Sequence, residues 1–110
     1  MVEDETSLDR VFRALGDPTR LRMIEDLARG ERTVGELAEP AKMTLAGASK
    51  HVGVLERAGL LTREKRGRER VCRLQPEALL SARDWVQRYT EFWNERLDAL
   101  ETALKEDGDE

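Results

Sequence analysis

A single cysteine, Cys72, rules out an internal disulfide, and a single histidine, His51, removes the paired soft ligands that zinc and related ions favour. Aromatic residues are only 5% of the 110-residue chain. The core is therefore expected to be aliphatic and modest, with a second copy supplying part of the missing burial. No apolar run approaches the ~20 residues of a membrane span. The opening MVEDETSLDR is acidic and polar, unlike a secretory signal. A single-domain, soluble, cytoplasmic protein without a membrane partner is the expectation. Catalysis is not expected. There is no cysteine–histidine pair at usable spacing and no phosphate-binding glycine loop, so no catalytic residue is assigned.

Positive charge is scarce overall but concentrated. The net charge is −4, yet residues 42–73 hold nine Lys or Arg against three acids, a local balance of +6 that leaves −10 elsewhere. An anionic partner responds to the local field within about a Debye length, not to the total.

The periodicity gives an order of elements. An acidic arm (1–7) precedes a first helix from Leu8 to about Leu15, with Ser7 as its cap. A second helix begins with Asp17 as cap and Pro18 at its first position, and ends before Gly30. Thr33 and Glu36 have capping-box spacing for a short third helix that Pro40 is expected to end. A fourth helix is capped by Thr44 and closed by Gly59. LLTREK and RVCRL then read as two strands of a hairpin around RGRE. From Pro76 to about Leu104 a helical pattern returns, with a break expected near Ser81, and residues 105–110 read as a frayed tail. Tightly joined short helices followed by a basic hairpin describe a mainly α fold with a small β-hairpin, a winged helix-turn-helix with its core in residues 8–75.

TLAGASKHVGVLERAGLL (44–61) raises a question, because Gly47 and Gly53 each cost a helix about 0.5–1 kcal/mol relative to alanine. At 100° per residue, Leu45, Ala48, Val52 and Leu55 should face the core. The opposite face holds Ala46, Gly47, Lys50, Gly53 and Arg57. Small side chains with two cations suit a groove lined by phosphate. His51, on the flank, is equally consistent with a hydrogen bond to neighbouring backbone.

The last helix carries a different signal. Val86, Tyr89, Trp93, Leu97, Leu100 and Leu104 form a seam at steps of three and four, longer than the small domain behind it can cover. It is expected to pair with its counterpart and with the first helix, through Leu8, Val11 and Phe12, in a homodimer. The alternative is that Trp85, Tyr89, Phe92 and Trp93 line a pocket for a small-molecule effector.

VFRALGDPTRLRMIEDLARGERTVGELAE followed by ASKHVGVLERAGLLTREKRGRERVCRL resembles the ArsR/SmtB family of bacterial winged-helix repressors over roughly residues 8–75. The resemblance implies a homodimer on pseudo-palindromic double-stranded DNA, with helices 1 and last forming the dimer interface. It implies recognition-helix contacts from Thr44, Ala46, Gly47, Ser49, Lys50 and His51. It also implies wing contacts from Arg63, Lys65, Arg66, Arg68 and Arg70. The chain departs from the family at Ala46, where proline is common, at Gly53, where a cation is common, and at Cys72, where tyrosine is. VGELAEPAK and the last helix lack the cysteines and histidines of the family's metal sites, so no metal and no cofactor are expected. The other reading is a winged-helix protein-interaction module that does not bind DNA.

Overall fold

The structure, a computed structural model, describes residues 2–108; Met1 of the acidic arm and residues 109–110 of the tail lie outside the described residues. The element order is α1 (Val2–Leu15), α2 (Pro18–Ala28), β1 (Arg32–Thr33), α3 (Val34–Ala41), α4 (Leu45–Arg57), β2 (Leu61–Arg66), β3 (Glu69–Leu74) and α5 (Pro76–Gly108). The three strands form an antiparallel sheet in the order β1-β3-β2.

Local chemistry explains most boundaries. The Asp17 side chain accepts from the backbone N–H of Arg20 and Pro18 opens α2, as their order in the sequence suggests. Thr33 and Glu36 form a complete capping box at the start of α3. Thr44 caps α4 by accepting from the Gly47 N–H at 3.0 Å. Between β2 and β3 a two-residue turn places Gly67 at φ 63° while Arg68 stays at negative φ, the pattern of a type II′ hairpin.

Four expectations are corrected. Helix α1 begins at Val2, so Ser7 lies inside it and does not cap it. Helix α3 runs through Pro40 to Ala41. The missing proline N–H costs one bond in the last turn, which closes around Lys42 in the left-handed region (φ 54°) with Met43 N–H bonded to the Ala38 carbonyl at 3.3 Å. Helix α5 has no break at Ser81 and continues helical to Gly108. The hairpin gains β1, whose Arg32 and Thr33 pair with Cys72 and Val71.

The core gathers where α2, α3 and α4 meet the sheet, with Met23, Leu37, Val52, Leu55, Leu60, Leu61 and Cys72 fully buried. Ala48, Val52 and Leu55 face inward as their spacing requires, but Leu45 is 62% exposed. Met43, just before the Thr44 cap, is partly buried against the core. Leu45 opens the first turn of α4 and projects beyond the edge of that packing.

Candidate nucleic-acid interface

The first turn of α4 is an open surface. Thr44, Leu45, Ala46 and Lys50 are exposed, while Gly47 and Ser49 are half-buried. The cap uses the N–H groups of Gly47 and Ala48. Those of Leu45 and Ala46 have no partner among the described residues, the normal state of a helix N-terminus, which favours an anion.

The glycines have an internal explanation. A Cβ on Gly47 would lie 3.2 Å from Oγ1 of the Thr44 cap and 3.3 Å from the Met43 methyl. A Cβ on Gly53 would lie 3.3 Å from Nη1 of Arg57, whose guanidinium covers it. Gly53 is therefore buried, not part of an open groove-facing surface.

Two arginines fix α4 in place. Arg20 donates through Nε to the Ala14 carbonyl at 2.6 Å and through Nη2 to the Arg13 carbonyl at 3.2 Å, satisfying the C-terminal end of α1. Its Nη1 donates to Nδ1 of His51 at 3.1 Å. A guanidinium can only donate, so Nδ1 accepts and carries no proton in this contact. Asp17 Oδ2 lies 3.9 Å from the same nitrogen. The backbone N–H of Arg20, and then the charge of its guanidinium, hold the Asp17 carboxyl below its usual range. His51 thus faces the start of α2. On the other flank, Arg63 donates to Ser49 Oγ at 3.0 Å and to Glu56 Oε1 at 3.1 Å, tying β2 to α4.

The hairpin has two unlike faces. The register sets Leu61 opposite Leu74, Arg63 opposite Cys72 and Lys65 opposite Arg70 on one side. Leu61 and Cys72 are buried there, so Lys65 and Arg70 continue the core-facing side beyond the core. Neither has a carboxylate within ion-pair distance among the described residues. Two like charges directly across a ladder destabilise an isolated hairpin. On the other side, Arg66 donates to Glu31 at 3.0 Å and to Glu64 at 3.1 Å, and Arg73 donates through Nε to Glu31 at 2.9 Å. These two guanidinium groups, Arg73 first, hold the Glu31 carboxyl below its usual range. Arg68 sits in the turn. The hairpin and the start of α4 enclose a cleft of about 680 Å³ lined by Thr33, Gly35, Leu45, Ala46, Ser49 and Arg70, among others.

Of the expected contacts, Ala46 and Ser49 of α4 share one cleft with Arg63, Arg68 and Arg70 of the hairpin, while Thr44, Gly47 and Lys50 lie on the same helix and Lys65 pairs across the ladder with Arg70. Ser49, His51, Arg63 and Arg66 are engaged by protein partners. Three residues were missed in the sequence: Arg20, Glu31 and the outward Leu45. Arg20 and His51 are 31 residues apart, and Glu31 lies 35 and 42 residues from its arginines, so no local pattern connects them.

Elsewhere, Cys72 is buried and burial pushes its thiol pKa up. Among the described residues no group of His, Cys, Asp or Glu is arranged to hold a metal ion. Along α5, Val86, Tyr89, Trp93, Leu97 and Leu100 are exposed, and Trp85 packs edge-on against Phe12 with ring centroids 5.3 Å apart. Leu8 is half-buried. Val11, expected at the subunit interface, is 2% exposed and lies in the core of its own subunit. Trp85, Arg88, Tyr89 and Phe92 line a shallow hollow of about 380 Å³.

Comparison with known proteins agrees with this architecture. Residues 15–64 match the model of a helix-turn-helix domain family. The HTH-type transcriptional regulator Rv2034 of Mycobacterium tuberculosis is 35% identical over 104 residues, covering 94% of each chain. A crystal structure of an ArsR family transcriptional regulator superposes with a TM-score of 0.77 at 37% identity, covering 82% of this chain and 93% of that one. A solution structure of a homodimeric winged helix-turn-helix DNA-binding domain from Mycobacterium bovis gives a TM-score of 0.63 at 30% identity, covering 79% and 82%. With these likenesses and a matching fold, the chain belongs to the ArsR family of winged helix-turn-helix transcriptional regulators.

Proposed function

We propose that the protein acts as a homodimeric repressor on a pseudo-palindromic DNA operator. The observation that carries this reading is the Lys65–Arg70 pair, two cations without carboxylate partners among the described residues, on the side of the hairpin that flanks the open first turn of α4. Their mutual repulsion is offset when phosphate lies between them. The first turn of α4 enters the major groove, where Ala46 and Gly47 add little bulk and Lys50 reaches base edges or phosphate. Lys65, Arg68 and Arg70 rest on the flanking backbone. Ser49, His51, Arg63 and Arg66 act one step removed, by fixing α4 and the hairpin.

The exposed face of α5 supports a second copy of the chain. Trp93, Leu97 and Leu100 are each more than half exposed on a helix about 50 Å long. A two-fold protein matches a two-fold site, and the Mycobacterium bovis relative is described as homodimeric.

The test is to capture genomic fragments with the purified protein and to weigh the complexes. The expected result is a shared two-fold sequence binding two chains. Leu97→Glu, on the proposed interface, should sediment as a monomer and lose about a hundredfold or more in affinity, because the second half-site no longer adds its share. A monomer that ignores duplexes in dilute buffer would end this reading.

A further inference from the structure

We infer that Leu45 reads the C5-methyl group of thymine in each half-site, which makes it a specificity-determining residue; the inference rests on the DNA-binding reading above. Among the described residues, Leu45 is the most exposed large apolar side chain outside α5, at 62%. It stands in the first turn of α4, the turn that the proposed docking brings to the base edges. Beside it, Ala46 offers another methyl group and Ser49 has its hydroxyl engaged by Arg63. It lines the cleft between α4 and the hairpin together with Val34 and Gly35, and stays largely open to solvent among the described residues.

A leucine can neither donate nor accept a hydrogen bond. Pressed against guanine, cytosine or adenine it would dehydrate a polar base edge without replacing the lost bonds. Among the four unmodified bases only thymine offers an apolar group in the major groove. Lys50, five residues further along the helix, supplies the complementary polar contact to a neighbouring base.

Duplexes selected from a random library by the full-length protein would be resynthesised with deoxyuridine at each thymine of the half-site, which deletes only the methyl group. Binding would be followed by fluorescence anisotropy. At one thymine position the wild-type protein should bind about fourfold more weakly per half-site, the expected effect of one buried methyl. Leu45→Ala and Leu45→Gln should bind the thymine and deoxyuridine duplexes equally, while Leu45→Met should keep the preference. Leu45 is outside the core, so thermal melting should confirm that all three variants fold. Equal deoxyuridine penalties in the wild type and Leu45→Ala would overturn the inference, as would selected half-sites without thymine. If no duplex is retained by the wild type, the DNA-binding reading falls and the inference falls with it.

Discussion

The two faces of the hairpin make opposite predictions for chemically similar substitutions. Lys65 and Arg70 have no carboxylate partner among the described residues, whereas Arg66 is held by Glu31 and Glu64. Each phosphate neutralised by an unpartnered cation contributes about 0.9 to the slope of log affinity against log salt. A dimer has two hairpins, so Lys65→Ala should lower the slope by about 1.8. Between 50 and 200 mM salt that corresponds to an affinity loss about twelvefold smaller than for the wild type. Arg70→Ala should behave alike. Arg66→Ala should leave the slope nearly unchanged, because its guanidinium is already neutralised within the protein. The assay is a series of anisotropy titrations on one operator duplex at several salt concentrations. If Arg66→Ala flattens the slope as much as Lys65→Ala does, the division between the two faces is wrong.

Other substitutions probe the scaffold. Arg20→Ala removes the donor to two α1 carbonyls and to His51, and should destabilise the protein by about 2 kcal/mol in urea unfolding at fixed protein concentration. Gly53→Ala should stabilise it by about 0.5–1 kcal/mol, because the covering atom is the flexible end of Arg57 and can move aside. The Glu31 carboxyl titrates below its ordinary value of 4.5, so its tie to Arg66 and Arg73 is fully present above that pH. The tie is lost as the pH falls through the lowered value, and amide exchange in β3 should then accelerate. In Glu31→Gln that acid-induced change should disappear.

Much of the architecture could be read locally. Asp17 and Pro18 announce α2, Thr33 and Glu36 announce α3, and the alternation around Gly67 announces the hairpin, because each signal lies within a few residues of what it controls. The misreadings have the opposite character. Strand β1 is two residues long and exists only because β3 offers an edge. Pro40 was expected to stop α3, but at the penultimate position it removes one bond where the helix is ending anyway. Leu45 falls on the core side of a helical wheel, and only the packed structure shows that the core ends short of it. The basic block was visible as a total of charges, but its division into engaged and unpartnered cations depends on Glu31 and on strand register. Neither can be inferred from spacing.

The single guanidinium of Arg20 joins three helices at one point, and this has a mechanical consequence. Helix α1 leans on α5 through Phe12 and Trp85, and the adjacent carbonyls of Arg13 and Ala14 are tied to His51 of α4 by that one side chain. Tilting α4 therefore drags on the last carbonyls of α1, and a shift of Trp85 against Phe12 should be felt at the surface proposed to meet the groove.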